Sequence, residues 1–417
     1  MNLQSLFTDS KKQNLLILSC LLFSVAIPMD GFARAIQTVS LALLGIYFLW
    51  NFNFQKLKSI SKDQFFIILI SLFLIQVLSG FYTSDLLAWQ RKVLLKLPLL
   101  LVPLFLFQSE IRFRTLILML QAFSISVSVI GLLSVQNYLI NHSEINKLIL
   151  QSKPIPIVGG TMHIYFSLML AVSIFFCGYL WRYFKQNQKT SGQIFWALCF
   201  TANFVSLHLL AARTGLLAFY LTLFIVVLVF GIRARKYLLT IGLLFTGFVI
   251  STLLVSFLPS LHNRFENTLD DLNRYRHGEY IGYFSISARF ETWKASTDLI
   301  KEKPLIGQGL GGVENGLLKQ YDINQSRLMG DDKLRSCHNQ YLETAVATGL
   351  PSLLLLVCLI ITSLTGVDDK VKFLNLAFIL IIASAFLVES LLERQAGISL
   401  FILFASVFRN LRSEIND

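Results

Sequence analysis

Apolar runs long enough to cross a bilayer recur along almost the whole chain and are interrupted only once at length, by a hydrophilic stretch from residue 259 to residue 340. A hydrocarbon core of about 30 Å takes roughly 20 apolar residues as a helix, and a helix satisfies its own backbone hydrogen bonds where no water can. Twelve runs are readable, at 14–29, 33–50, 63–81, 94–108, 113–139, 159–181, 193–212, 214–232, 236–258, 340–366, 371–388 and 396–410, of which the first, fourth and last are short. With 55% apolar residues against 14% charged, and 36 Phe, the chain has too little polar surface to solvate a globule of 417 residues. The expected fold is an all-α integral membrane protein of about 12 transmembrane helices. Residues 1–258 hold nine of them, residues 259–340 form one long outer loop, and residues 341–417 hold the last three with a short tail.

Lys and Arg favour cytoplasmic loops, which fixes the expected orientation. With a cytoplasmic N-terminus the inner segments hold 17 basic residues, Arg182 and Lys370 among them, and the short outer loops hold 8. Both termini are therefore expected inside and the long loop outside. Much of the net charge of +12 sits in the inner segments, so topology accounts for it and no nucleic-acid partner is indicated. The long loop balances 11 basic residues with 11 acidic ones, so any anion site in it depends on particular side chains. Cys20, Cys177, Cys199 and Cys358 lie in apolar runs and only Cys337 in the loop, which is no disulfide framework. The first run lacks a clear small-residue cleavage site and is expected to stay as an anchor.

Some familiar motifs fail on context. Gly307, Gly309 and Gly312 fit G-x-G-x-x-G, but no strand–turn–helix unit surrounds them, and they read as a turn after Lys303-Pro304. Asp270-Asp271 and Asp331-Asp332 are adjacent pairs without the D-x-D spacing of a metal clamp, and read as solvated carboxylates.

Four features remain. Arg213 stands between two apolar runs with almost no loop around it, either as a topological anchor or as a ligand for phosphate. The segment from Ser287 to Ser296 reads as a helix capped by Ser287 and ended before Pro304, with Phe290, Trp293 and Ile300 on an apolar stripe against the membrane. Arg289 then falls in its first turn, where the helix dipole disfavours a cation unless an anion is bound beside it; a surface pair with Glu291 is the plain alternative. His338 sits where the loop meets the tenth run, at a helix N-terminus that favours a neutral imidazole able to accept a proton. Last comes a scatter of outward polar groups: Arg91, Lys92 and Lys96, then His163, then Glu389, Glu393 and Arg394. Each is weak alone and gains meaning only if several converge on one cavity.

Ala212-Arg213-Thr214-Gly215, Arg289 with Trp293, Lys303-Pro304-Leu305-Ile306-Gly307-Gln308-Gly309, and His338-Asn339-Gln340-Tyr341-Leu342 with Thr348-Gly349-Leu350 together resemble the O-antigen ligase and O-antigen polymerase superfamily. The resemblance is clearest over residues 200–365. It departs at Ala212, where relatives often carry a small hydroxyl residue. It implies a metal-independent, inverting glycosyltransferase with a C-type membrane fold and no cofactor, working at the periplasmic face of the bacterial inner membrane. The implied donor is a glycan on undecaprenyl pyrophosphate, and membrane lipids surround the enzyme. The acceptor is a sugar hydroxyl of the lipid A core for a ligase, another lipid-linked glycan for a polymerase, or a protein for an O-oligosaccharyltransferase.

In that scheme Arg213 and Arg289 hold the pyrophosphate by charge-assisted hydrogen bonds, and His338 takes the acceptor proton or only positions the substrate. Arg91, Lys92, His163, Trp293, Tyr341 and Glu389 are candidates to line the substrate. Tyr275, Tyr280 and Tyr283, like Trp293 and Tyr341, suit either stacking on sugars or anchoring at the membrane interface. A polytopic transporter or flippase of the lipid-linked glycan is the competing class; no repeat relates the first six runs to the last six, which disfavours it.

Overall fold

The computed structural model describes residues 3–31, 33–109, 111–150, 153, 155–279, 286–328 and 330–412. Tyr280 and Tyr283 lie outside these residues. Helices dominate: α1 (Leu3–Ala26), α2 (Arg34–Trp50), the short α3 (Phe54–Ile60), α4 (Gln64–Leu78), α5 (Leu86–Phe107), α6 (Phe113–Ile140) and the short α7 (His142–Leu150). Then come α8 (His163–Gln186), α9 (Thr190–Leu209), α10 (Arg213–Arg233) and α11 (Tyr237–Phe257). The hydrophilic stretch holds α12 (Pro259–Arg276), α13 (Ile286–Glu302) and α14 (Val313–Ile323), and the chain continues through α15 (Gln340–Thr362), α16 (Lys372–Phe386) and α17 (Gln395–Arg409). Two two-residue strands, β1 (Ile111–Arg112) and β2 (Leu411–Arg412), pair in parallel.

Eight helices among the described residues are long and apolar enough to cross a membrane alone, and α2 with α3, bent by 118°, makes a ninth broken span. Each of the twelve expected runs overlaps a helix, but α16 and α17 are shorter, at 15 residues each, and α5 carries Arg91, Lys92 and Lys96. The architecture is that of an all-α integral membrane protein. Helix starts follow from short polar side chains: Asp63 accepts from the Phe66 amide (3.2 Å), Asp85 from Ala88 (2.8 Å) and Asn339 from Leu342 (3.0 Å).

The core is centred on α17, in which every residue from Ala396 to Phe408 is buried. A helix apolar all round belongs inside, and here its Phe404 and Phe408 cluster with Phe123, Phe176 and Phe378 of the surrounding helices, ring centroids 4.9 to 6.5 Å apart. At one end Arg409 of α17 grips Asp63 through Nε (3.1 Å) and Nη2 (2.8 Å), which ties the last helix to the cap of α4.

At the other end, called outer here, residues 286–347 build a second, smaller core from Ala288, Ala295, Leu299, Leu317, Tyr321, Cys337 and Val346. Its attachment depends on a break in α15. Thr348 and Gly349 leave helical geometry, Gly349 with φ 84° and ψ 174°, and Pro351 follows. The carbonyls freed by the break accept from the segment after Pro304: Gln308 N–H to Val346 O (2.7 Å) and Gly309 N–H to Ala347 O (2.9 Å), while the Leu350 amide donates to Pro304 O (2.7 Å). The main chains approach so closely that a Cβ on Gly349 would stand 2.2 Å from Leu305 O, and one on Gly307, at φ 67°, would stand 2.5 Å from Val346 O. The glycine turn expected after Lys303-Pro304 is thus also a docking strip.

Two local expectations are corrected. Ser287 is not the cap of α13; the first two amides, Ile286 and Ser287, donate to the carboxylate of Asp271 on α12 (2.8 and 3.0 Å), and Ser287 Oγ bonds to Asp271 O (3.3 Å). Asp271 is therefore a capping group, not a solvated carboxylate. The Phe290–Trp293–Ile300 stripe makes protein contacts on one side: Phe290, still exposed, meets Tyr275 (5.9 Å) and Trp293 (5.8 Å), and Ile300 joins the second core. The face that α13 buries most deeply is made of small residues, among them Ala288, Ala295 and Ser296.

Because Gly349 combines positive φ with a backbone carbonyl at its Cβ position, Gly349→Ala is expected to destabilise the outer core by roughly 2–4 kcal/mol, read as a lower melting temperature and faster proteolysis within residues 286–328.

Candidate functional site

The outer ends of α8, α10, α13 and α15 and the link between α16 and α17 meet in one charged cluster. Residues 337–339 are pinned from three sides. The Cys337 amide donates to Glu343 Oε2 (2.8 Å), the Cys337 carbonyl accepts from Trp293 Nε1 of α13 (3.1 Å), and Asn339 Nδ2 donates to Leu387 O (2.9 Å). His338 between them is held at φ 45°, a left-handed conformation that a residue with a side chain adopts only when its surroundings impose it. Its Nδ1 lies 3.3 Å from Oε2 of Glu389, a carboxylate only 7% exposed. A carboxylate at Nδ1 fixes the tautomer with the proton there, which leaves Nε2 as the basic nitrogen.

The same oxygen of Glu389 is 3.8 Å from Arg289 Nη2. Burial would raise the Glu389 carboxyl, but the hydrogen bond and charge of His338, with Arg289 and the Ser390 amide, outweigh it and hold the group below its ordinary value as an anion. Arg289 is therefore not a partner of Glu291, which accepts from Tyr275 (3.2 Å) and Ser326 (2.9 Å) and faces Arg327 (3.9 Å).

Two more guanidiniums complete the cluster. Arg213 opens α10 directly after Ala212, itself preceded by Ala211 with φ 47°, and its Nη2 donates to the carbonyl of Arg264 on α12 (3.4 Å). Arg264 Nη2 reaches Lys153 O (2.5 Å). Burial and the charge of Arg213 depress the Arg264 guanidinium to about 10, and Arg213 and Arg289 feel each other's charge. His163, the first residue of α8, lies within electrostatic reach of Arg264, Arg289 and Glu389. Like charges held together in a partly buried place favour an anion between them, and planar guanidiniums suit phosphate oxygens.

Beneath this cluster lies a buried layer of paired charges. Lys92 Nζ stands 3.6 Å from Glu343 and 3.9 Å from Glu393, and Lys96 binds Glu393 directly. Glu343, 1% exposed, also accepts from Ser390 Oγ (3.2 Å), so one carboxylate fixes both the residue before His338 and the residue after Glu389. Gln340 Oε1 accepts from the Leu392 amide (2.6 Å) on the same side.

The structure thus brings Arg213, Arg289, His163, His338 and Glu389 together and leaves others elsewhere. Lys92 is engaged in the charged layer below. Arg91 is exposed and its Nε donates to Leu87 O in its own helix (3.3 Å). Trp293 ties α13 to Cys337, and Tyr341 donates to Ala383 O (3.2 Å) with its ring on Phe386 (5.8 Å). Sequence reading missed Arg264 as a member of the cluster and Glu343 as its support. The available signals were a basic residue soon after Pro259 and an acid one helical turn into α15.

Comparison with known proteins bears on the same region. Residues 197–357 match the O-antigen ligase family model. Over this segment the chain is similar to the O-antigen ligase superfamily. It contains Arg213, Arg264, Arg289, His338 and Glu343, while Glu389 and the first eight helices of the chain fall outside it. A Haemophilus influenzae protein described as uncharacterized is 38% identical over 80 residues, a stretch that spans 19% of either chain.

Removing one charge of a buried pair strands the other. Glu343→Gln is expected to cost roughly 2 kcal/mol, below the 3–5 kcal/mol of fully buried pairs because Lys92 is 25% exposed. The double variant Lys92→Met/Glu343→Gln is expected to recover part of that loss in a thermal-melt double-mutant cycle.

Proposed function

We propose that the protein is an O-antigen ligase-like glycosyltransferase. It moves a glycan from undecaprenyl pyrophosphate to a sugar hydroxyl of the lipid A core, at the periplasmic face of the bacterial inner membrane and with both termini in the cytoplasm. The observation that carries the reading is the meeting of Arg289 and His338 at one oxygen of Glu389, with Arg213 and Arg264 alongside, in a segment similar to the O-antigen ligase superfamily.

The acceptor oxygen attacks the anomeric carbon as the bond from that carbon to the pyrophosphate oxygen breaks, which inverts the configuration. Negative charge grows on the departing pyrophosphate, and Arg213, Arg289 and Arg264 stabilise it without a metal ion. His338 Nε2 takes the hydroxyl proton, and Glu389 at Nδ1 stabilises the imidazolium so formed. Arg289 beside Glu389 links the two halves: the carboxylate that orients the base also orients a guanidinium meant for the leaving group. The lipid pyrophosphate linkage already stores the energy of transfer, so no nucleotide is needed at this face.

The test is reconstitution of the purified protein with an undecaprenyl pyrophosphate glycan, with and without lipid A core. Core-dependent attachment supports the ligase, longer lipid-linked chains without core point to a polymerase, and no bond formation in either case overturns the reading. Arg289→Ala and His338→Ala are expected to abolish transfer with membrane insertion intact. Glu389→Gln is expected to lower the rate by about 10²- to 10⁴-fold, because the imidazolium loses its carboxylate.

A further inference from the structure

At the end of the bundle opposite the arginine–histidine cluster, α8, α9, α10 and α16 part around a cavity of about 870 Å³, within the size range of ligand pockets. Its wall is aromatic, with Phe200, Phe204, Phe219 and Phe373, and its mouth carries Arg182 and Lys370. Asp369 is also at the mouth but faces Lys372 at 3.4 Å, and Asp368 accepts the Lys370 amide (2.8 Å) while keeping its charge; Arg182, Lys370 and Lys372 against these two carboxylates still leave the rim positive by one. Lys370 Nζ sits 5.6 Å from the centroid of the Phe113 ring, at the border between the charged rim and the aromatic wall.

Gly178 is the second, independent observation. It lies in the interior of α8, where glycine costs roughly 1 kcal/mol relative to alanine, and it lines the cavity. A Cβ built on it meets nothing within 4 Å. The glycines that lie in helix contacts have neighbours at that point; Gly215 of α10, for example, would meet Ser167 at 2.5 Å. Gly178 therefore does not serve helix packing, and its lack of a side chain widens the slot. An aromatic wall of this extent offers dispersion contact that suits an acyl chain.

We propose that this cavity is a binding site for an anionic phospholipid. An acyl chain lies against Gly178 and the Phe rings, and the phosphate sits between Arg182 and Lys370. Basic pockets between membrane helices with an apolar interior take such headgroups. The site is separate from the transfer chemistry and does not rest on it.

Native mass spectrometry of the purified full-length protein, with phosphatidylglycerol or phosphatidylcholine added, tests the proposal. The wild type is expected to retain phosphatidylglycerol over phosphatidylcholine and to melt higher with it. Gly178→Leu, which fills the slot, is expected to lose that retention, and Arg182→Gln/Lys370→Gln to weaken it about tenfold. Equal retention of both lipids by the wild type overturns the proposal. So does wild-type retention of phosphatidylglycerol by Gly178→Leu, or by the double variant should the leucine variant not fold.

Discussion

The outer half of the molecule hangs on the interruption of α15 at Thr348 and Gly349. A continuous helix would keep the Val346 and Ala347 carbonyls for itself; the break releases them, and the amides of Gln308 and Gly309 take them up. Because these bonds are main chain to main chain, the strip from Pro304 to Gly309 has one register on α15, and α13 is placed by it. Arg289 on α13 and His338 just ahead of α15 then face the same carboxylate. Their meeting depends on a backbone feature ten residues beyond His338 and some sixty beyond Arg289.

The charges of the outer end fall into two tiers with opposite character. In the lower tier Lys92, Lys96, Glu343 and Glu393 answer one another, and the pairing holds three segments in place. In the upper tier Arg213, Arg264 and Arg289 stand within reach of one another's charge, with Glu389 at Arg289 and Asp271 acting on Arg213. The lower tier pairs its charges within the protein, whereas the upper tier holds like charges close together, which costs stability.

The sequence made the bundle legible because lipid permits few solutions, and apolar runs of the right length are helices; the start of α5 at Leu86, capped by Asp85, was missed by eight residues because Arg91, Lys92 and Lys96 interrupt its apolar run. The grouping of Arg213, Arg289 and His338 was legible through a motif order, and its geometric reason is the glycine strip that joins α13 to α15. What stayed hidden required partners distant in sequence. The cap of α13 comes from Asp271, fifteen residues before Ile286, so the nearer Ser287 was the natural but wrong choice. The buried lysines of α5 read as loop-end charges because Glu343 and Glu393, which neutralise them, lie some 250 and 300 residues further on. Arg264 lay in a polar helix rich in other charges, and its position soon after Pro259 was the only local sign that set it apart.

The all-round burial of α17 has a consequence for how the molecule is made. Every other described helix leaves the ribosome before it, yet it occupies the centre of the bundle and packs on α5 and α8. Until it arrives, the facing surfaces of those helices stand open to lipid or to one another, and Glu389, which immediately precedes it, has no fixed place. Closure of the core and placement of Glu389 beside His338 are thus one late event in biogenesis.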